Sequence, residues 1–308
     1  MKNNYHKPVM LNEALHYLQP LPDLRYIDCT LGDGGHTLEL LRQGSEVLGI
    51  DAFPNALERA KKRIKEEGLR DKFSGVVGNF KDLQEIAERE GFSDVNGILF
   101  DLGYSSYELD EGGIGLTFQK DEPLDMRMDK DLGVTAADLL NTLPEKQLAK
   151  IIRDYGGENM ANRFAKEIVK FRNLKKFQTT KELKEVIESA APSGYERGRI
   201  NPATRTFQAL RIAVNDEIEN LKKALPQAAR LLLPGGRMIV ISFHSLEDKA
   251  TKKFGRLDVQ PSAFALDEVT KKPLVPTARE VDENIRSRSA KMRVYEKSNK
   301  TKKNDKNT

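Results

Sequence analysis

The sequence contains little cysteine and no long hydrophobic segment. Its single cysteine, Cys29, excludes a disulfide framework and a zinc site made of cysteine thiolates. No apolar run approaches the roughly 18 residues of a membrane-spanning helix, and the N-terminal MKNNYHKPVML lacks the apolar core of a signal peptide. These absences predict a cytoplasmic protein that does not contact a membrane. Cys29 is a candidate nucleophile, with packing at the end of a buried strand as the alternative.

The stretch YIDCTLGDGGHTLELL (26–41) has three glycines but lacks what the common phosphate-binding loops require. No Gly-Lys-Ser/Thr follows the glycines, which excludes a P-loop. Thr37 stands where the third glycine of G-x-G-x-x-G belongs. The loop carries Asp28 and Asp33 in place of a basic residue, so it would repel a pyrophosphate and favour a ligand with positive charge. A tight turn without a ligand is the alternative interpretation.

Apolar segments that alternate with helical patterns predict an α/β fold. Four such segments lie before residue 104, each of the first three followed by a helical pattern, which favours a parallel sheet with helices on both faces. A turn at Pro234-Gly235-Gly236, a buried strand over 237–243 and the strand KMRVYE return to this pattern later. The four predicted early strands are RYIDCT, EVLGID, FSGVVG and VNGILFDLG.

The alternation stops between the fourth and fifth strands, where four short helical patterns over 135–190 predict a helical insertion. One longer helix follows Asn201-Pro202, because six apolar residues there share one face. The predicted division is a discontinuous domain over 1–110 and 207–296, an all-helical insertion over 111–206 and a disordered tail over 297–308. The six residues are Phe207, Leu210, Val214, Ile218, Leu221 and Leu225.

The net charge of +4 hides an asymmetry along the chain. Residues 94–145 carry 12 acidic side chains against 3 basic ones, whereas residues 146–211 carry 15 Lys and Arg against 7 Asp and Glu. Residues 286–308 carry 9 basic side chains against 2 acidic ones. The basic zones suggest a polyanionic partner, and a solvated helical surface with a disordered tail is the alternative.

Ligands of open parallel sheets bind beyond the carboxyl ends of the strands, so the residues there are the site candidates. Asp51 ends the second strand, 19 residues after Gly32, where a carboxylate accepts hydrogen bonds from ribose hydroxyls. Together with the acidic glycine loop, this predicts a nucleoside with a cationic end, which S-adenosyl-L-methionine (AdoMet) fits. Phe80 follows the third strand and either stacks on adenine or packs in the core. Asp101 follows the fourth strand and either orients an amine or caps the turn.

Three further motifs carry polar residues outside the predicted ligand loop. EPLDMRMD (122–129) favours a local salt bridge, and NPATRTFQA is typical of a capped helix start. SFHSLED places Ser245 and Asp248 at the spacing of a capping box. His244 in that motif is either a proton acceptor or a histidine already satisfied by its neighbours.

Taken together, the motifs resemble bacterial 16S rRNA cytosine-N4 methyltransferases of the MraW or RsmH type. The resemblance runs from His6 to about Val294, and its most specific motifs are PLDMRMD, NPATRTFQALR and SFHSLED. It implies a Rossmann-like class I AdoMet-dependent methyltransferase with an inserted all-helical domain, acting on a cytidine of 16S rRNA in the small ribosomal subunit. The implied cofactor contacts are Gly34, Gly35, His36, Asp51, Phe80, Asp101 and Glu108.

One position and one segment depart from the family pattern. Glu108 replaces a glutamine beside the cofactor, and GIGLTF (113–118) replaces a segment that contains an arginine. Asp101 is expected to help align the amine with the sulfonium and to accept a hydrogen bond from it as positive charge develops. No metal-binding residue is expected, the general base and any metal requirement stay open, and Tyr104 or Phe118 is expected to stack on the target base. A methyltransferase for another RNA, a protein or a small molecule, or a non-catalytic RNA-binding protein, is the alternative. The oligomeric state stays open, a homodimer included. Candidate phosphate contacts are Arg153, Arg163, Arg172, Lys175, Lys176, Arg197 and Arg199.

Overall fold

A computed structural model describes residue 5 and residues 7–103, 113–256 and 266–298. The described chain forms two compact units: one holds the residues up to 103 and from 218 onward, and the other holds residues 113–217. The second boundary therefore falls between Glu217 and Ile218, beyond the predicted 206/207. None of the helices in the described ranges is both long and apolar enough to cross a membrane.

The first unit is built on a seven-stranded sheet in the order β3-β2-β1-β4-β5-β7-β6. Strands β1 to β5 are parallel, and β7 pairs antiparallel with both β5 and β6. The sheet confirms the predicted α/β Rossmann-like class. The strands are β1 (Arg25–Asp28), β2 (Glu46–Asp51), β3 (Phe73–Val77), β4 (Val95–Asp101), β5 (Leu232–Ser242), β6 (Leu266–Glu268) and β7 (Lys291–Lys297).

Helices cover both faces of this sheet. Alternate residues of β4 show this, because Ile98 and Phe100 join one buried apolar cluster and Leu99 joins the other. Strands covered on both faces are near-continuously apolar, which is why the sequence pattern identified them. The helices of this unit are α1 (Leu11–Leu18), α2 (Gly35–Arg42), α3 (Pro54–Glu66), α4 (Leu83–Arg89), α10 (Glu217–Leu231, whose first residue belongs to the other unit), α11 (Ser245–Phe254) and α12 (Ala278–Glu283).

The second unit is helical, and residues 113–217 contain no strand beyond an isolated bridge between Pro123 and Thr179. The predicted helical patterns over 135–190 correspond to four helices, with capping boxes at Thr135 and Thr179 that explain two of the starts. A fifth helix follows Pro202. The helices are α5 (Ala136–Thr142), α6 (Glu145–Gly156), α7 (Ala161–Leu174), α8 (Thr180–Ala190) and α9 (Ala203–Asn215).

The predicted long helix after Asn201-Pro202 is wrong, because the chain breaks it into α9 and α10. Asp216 between them has φ 49° and ψ 34°, a left-handed conformation that ends α9 and that Asp tolerates better than most residues. The apolar pattern still identified the buried positions on both sides of the break: Phe207, Leu210, Val214, Leu221 and Leu225 are buried.

Three other boundaries differ from the sequence prediction. Pro234 and Gly235 do not precede β5 but lie in a bulge within it, where the register with β4 shifts. The capping box of α11 uses His244 and Glu247, not Ser245 and Asp248, because β5 ends at Ser242 and leaves His244 in the extended conformation. Lys297, assigned to the tail, is the last residue of β7.

Asn215 organises the PLDMRMD segment of the helical unit. Its side-chain Nδ2 donates to the carbonyl of Met126, and its Oδ1 accepts from the backbone N–H of Met128. Met126 is fully buried with φ 61°, a strained conformation for a methionine. Arg127 donates to both carboxylate oxygens of Asp125. The local salt bridge suggested by the sequence is therefore present, and Asn215 stabilises the strained turn beside it.

We expect Asn215→Ala to lower the free energy of unfolding by about 2 kcal/mol, because it removes buried hydrogen bonds and leaves backbone groups unpaired. Urea unfolding followed by circular dichroism measures the change. Asn162→Ala is the matched control, since Asn162 is exposed on α7, and we expect a change within about 0.5 kcal/mol. Equal stability of the two variants would contradict the role of Asn215.

Candidate active site

The candidate site lies where the strand order reverses, between β1 and β4. The first helical crossovers from β1 lead to β2 on one side, whereas β4 lies on the other side of β1. Ligands of doubly wound sheets bind at this point, beyond the carboxyl ends of the strands. Asp28 ends β1, Asp51 ends β2 and Asp101 ends β4. The structure thus places three predicted carboxylates at the same edge of the sheet.

Asp28 is held by the loop that follows it. Thr37 Oγ1 donates to Asp28 Oδ2 over 2.8 Å, and the Thr30 backbone N–H donates to Oδ1 over 3.2 Å. Burial nevertheless raises the pKa of Asp28 to about 6. Thr37 stands where a third glycine would be expected. Its hydroxyl makes the polar contact to Asp28 at the end of β1, which a glycine could not make.

Asp33 does not add free negative charge to the loop. Arg59 forms a two-pronged salt bridge with it, with Nε 2.7 Å from Oδ1 and Nη2 2.9 Å from Oδ2. A charge-neutralised carboxylate attracts a cation only weakly, so the sequence argument from Asp33 is wrong in this respect. The preference for a cationic ligand depends on Asp28 and Asp101 instead.

Different structural constraints act on the glycines of the loop. Gly34 has φ 70°, and a side-chain Cβ on Gly35 would lie 3.0 Å from Pro8. A Cβ on Gly32 would meet no described atom within 4 Å. Backbone conformation therefore favours glycine at Gly34 and also at Gly32, whose φ is 51°, and packing against Pro8 requires it at Gly35. Gly32 borders open space beside Asp51.

Asp51 joins the end of β2 to the glycine loop. Its Oδ2 accepts from the Gly32 backbone N–H over 2.7 Å, and its Oδ1 accepts from Phe53 N–H over 2.8 Å. These two bonds fix the orientation of the carboxylate at the end of β2. Phe80, after β3, is half-buried and packs edge-to-face on Phe100 at 5.8 Å between ring centroids. Core packing is thus one of its roles.

Asp101 combines burial with an unpaired oxygen. Its side chain is 17% exposed, and its Oδ1 is buried without a hydrogen-bond partner among the described residues. Burial, followed by the neighbouring charge of Asp28, raises the pKa of Asp101 to about 7. The backbone N–H of Asp101 donates to Thr30 Oγ1 over 2.6 Å, which ties β4 to the loop. A carboxyl group of this kind suits proton transfer near neutral pH.

Cys29 packs at the end of a buried strand, one of the two roles that the sequence left open, and His244 caps a helix. Cys29 is buried, and burial raises the pKa of its thiol well above the ordinary value, so it is not an activated nucleophile. His244 Nδ1 accepts from the Glu247 backbone N–H at 3.5 Å, and its Nε2 lies 3.1 Å from Glu247 Oε1. His244 therefore caps α11. Glu108 and Tyr104 lie outside the described residues.

His36 is brought to Asp101 by the fold, a contact that the sequence analysis missed. Its Nδ1 lies 3.8 Å from Asp101 Oδ2, and its Nε2 lies 3.0 Å from the Val9 carbonyl oxygen. The N-terminal segment before α1 therefore contacts the site through Pro8 and Val9. No local pattern predicts contacts between segments so far apart in the chain.

Three features define an α/β methyltransferase of the class I type. They are the glycine loop, the carboxylate of Asp51 at the end of β2, and the carboxylates at the point where the strand order reverses. The profile of the MraW methylase family matches residues 3–298, and the chain belongs to this family. This membership confirms the predicted methyltransferase activity and AdoMet as the cofactor.

Two curated relatives match nearly the whole chain. The ribosomal RNA small subunit methyltransferase H of Carboxydothermus hydrogenoformans is 44% identical over 306 residues, covering 95% of this chain and 97% of the relative. The enzyme of the same name from Symbiobacterium thermophilum is 42% identical over 309 residues, covering 95% and 96%. Among solved structures, an rRNA methylase from Streptococcus thermophilus aligns with a TM-score of 0.44 and 10% identity, covering 93% of this chain and 95% of that one.

Proposed function

We propose that the protein transfers a methyl group from AdoMet to the exocyclic N4 amine of a cytidine in the decoding region of 16S rRNA. The observation that carries this proposal is Asp101, whose buried Oδ1 lacks a donor among the described residues and whose pKa is about 7. The names of the relatives, small-subunit rRNA methyltransferases, support the substrate class.

The residues at the strand ends fit AdoMet. The unpaired Oδ1 of Asp101 and the buried carboxylate of Asp28 suit a ligand with ammonium and sulfonium charges. Asp51, which two backbone N–H groups orient, would accept hydrogen bonds from ribose hydroxyls. The other proposed contacts are Gly34, Gly35 and His36 in the glycine loop. The exposed part of the Phe80 ring would stack on adenine. Glu108 stays a candidate contact outside the described residues.

The reaction requires positioning and the removal of one proton. The lone pair of the cytosine N4 is delocalised into the ring, so the amine is a weak nucleophile. AdoMet, when bound, supplies the activated methyl group. Asp101 would accept a hydrogen bond from N4–H, align the amine, and take its proton as positive charge develops on nitrogen. The target base must leave its stack to reach these groups. The ring of Phe118 already packs on Phe207, so it is a weaker candidate for stacking on the base than a ring without such a contact.

The structure separates the seven basic candidates for rRNA phosphates into two groups. Arg172 donates to the Leu140 and Leu143 carbonyls, Lys175 pairs with Glu182, and Arg153 lies near Asp154 and Asn162. The other four are exposed and have no side-chain partner among the described residues: Arg163, Lys176, Arg197 and Arg199.

Two of these four lie on a strained turn. Glu196 and Arg197 have φ of 47° and 54°, between Gly194 and Gly198. Arg205 holds the turn through Glu196 at 2.6 Å, and the Tyr195 hydroxyl donates to the buried Glu158. Strained backbone that the surroundings hold in place is frequent at binding sites. The turn therefore holds the backbone of Arg197 in place, and we expect the exposed side chains of Arg197 and Arg199 to contact phosphates.

We expect the triple charge reversal Arg163→Glu, Arg197→Glu and Arg199→Glu to weaken binding to small-subunit particles and to lower the slope of log affinity against log salt by about 2 to 3. Filter binding over a salt series measures both quantities. The matched control reverses three exposed cations of the sheet unit: Lys62, Lys65 and Arg70. An equal loss in both variants would show that only net charge matters.

A labelling experiment tests the function itself. Tritiated AdoMet is incubated with the protein and small subunits from a strain that lacks this methyltransferase, and the label is mapped by nuclease digestion and mass spectrometry. We expect a single N4-methylcytidine in the decoding region. Label on another RNA, on protein or on a small molecule would replace the proposal, and no transfer despite AdoMet binding would indicate a non-catalytic RNA-binding protein.

A further inference from the structure

His36 connects the N-terminal segment with the carboxyl group of β4. Its ring is buried, with Nε2 3.0 Å from the Val9 carbonyl oxygen and Nδ1 3.8 Å from Asp101 Oδ2. A carbonyl oxygen only accepts hydrogen bonds, so Nε2 carries the hydrogen. In the neutral ring, Nδ1 then presents its lone pair to Asp101. The Val9 contact thus selects the tautomer that faces the carboxyl group with an acceptor.

The surroundings of Asp101 are otherwise acidic. The charges of Asp28 on β1, Glu247 on α11 and Glu280 on α12 all disfavour ionisation of Asp101. Among the described residues, His36 is the histidine whose ring nitrogen approaches this carboxyl group, with Nδ1 3.8 Å from Oδ2. Each neighbouring acid makes a bound proton on Asp101 more favourable, whereas a hydrogen bond from the Gly103 backbone N–H opposes it. The His36 ring offers an acceptor for that proton at Nδ1.

We propose that His36 is a positioning residue for Asp101, holding at Nδ1 the proton that the carboxyl group takes from the acceptor amine. This inference rests on the proposed function. As the N4–C bond forms from the nitrogen lone pair, the S–C bond breaks and its electrons stay on sulfur. The N4 proton passes to Asp101 Oδ2, which donates it in a hydrogen bond to Nδ1, and solvent removes it after the product leaves.

The geometry requires a small movement. A separation of 3.8 Å is too long for a hydrogen bond, and the two atoms must approach by about 1 Å. Catalytic hydrogen bonds are often long in ligand-free structures and shorten when the ligand binds. Asp101 Oδ1 meanwhile stays available to accept from the ligand.

The pH dependence of methyl transfer tests this role. His36→Gln retains an amide donor for the Val9 carbonyl but removes the ring nitrogen that faces Asp101. Without that acceptor the protonated carboxyl group is less stable, so its apparent pKa falls. We expect the midpoint of the single-turnover rate against pH, at saturating AdoMet, to move down by about one pH unit and the plateau rate to fall about tenfold. His16→Gln, an exposed histidine on α1, is the control and should change neither.

A second measurement does not depend on activity. The protein with ¹⁵N-labelled histidine is titrated by NMR without rRNA. We expect the His36 ring shifts to follow a titration that Asp101→Asn abolishes, while the His16 ring shifts are the same in both proteins. If His36→Gln weakens AdoMet binding but leaves the midpoint in place, or if Asp101→Asn leaves the His36 titration unaltered, the inference is overturned. Failure of the rRNA labelling leaves the NMR result interpretable, so the two proposals fail separately.

Discussion

Asp101→Asn is expected to lower the rate of methyl transfer about 10³-fold at saturating AdoMet. The amide keeps the size of the side chain but cannot take a proton from the amine. Asp101 lies at the end of β4 with its Oδ1 unpaired among the described residues. The rate is measured in single turnover with small-subunit particles, and the AdoMet dissociation constant is measured by calorimetry. We expect the dissociation constant to change by less than tenfold.

The stability of the same variant distinguishes loss of chemistry from loss of structure. The pKa of Asp101 rises from an ordinary value of 3.8 to about 7 in the folded protein. The folded state therefore binds more protons between these values, and the free energy of unfolding falls as pH increases through this window. Removing the ionisable group should make Asp101→Asn more stable than the wild type at pH 8, with the difference lost below about pH 4.

The control for this position is Asp82→Asn, since Asp82 is exposed after β3. It should retain the wild-type rate and stability. A rate for Asp101→Asn within a few-fold of the wild type would exclude proton transfer by Asp101. A variant that is slow and also less stable at pH 8 would point to structural damage instead.

Gly156→Ala is expected to destabilise the helical unit by about 3 kcal/mol. Gly156 is the last residue of α6, and an added Cβ would lie 2.4 Å from the backbone carbonyl oxygen of Arg205 in α9. A backbone atom cannot rotate away as a flexible side chain can, so the two helices must separate. Separation also disturbs Arg205, which holds the turn at Glu196.

Urea unfolding monitored by circular dichroism measures this change. Gly133→Ala is the matched control, because its Cβ would meet no described atom within 4 Å. We expect Gly133→Ala to change the free energy of unfolding by less than about 0.5 kcal/mol. If the two substitutions have the same effect, the close approach of α6 to α9 does not limit the packing.

The sequence predicted the parts of the site that depend on neighbouring residues. Asp51 and Asp101 were placed correctly because each directly follows an apolar strand, and parallel strands end at one edge of a sheet. The effect of Asp33 was not predicted, because Arg59 lies 26 residues away and reaches it only after α3 packs beside the loop. The sequence shows that a charge exists but not whether it is paired.

By itself the sequence determined the α/β class, six of the seven described strands (all but β6), most of the described helices and the acidic character of the ligand loop. These features follow from periodicity and from turn residues within a few positions of one another. Only the tertiary structure decided the position of β7 between β5 and β6, the break of the long helix at Asp216 and the contact of His36 with Asp101. Strand order and the contact are made by residues far apart in the chain, and the break depends on a left-handed backbone conformation that apolar spacing does not encode.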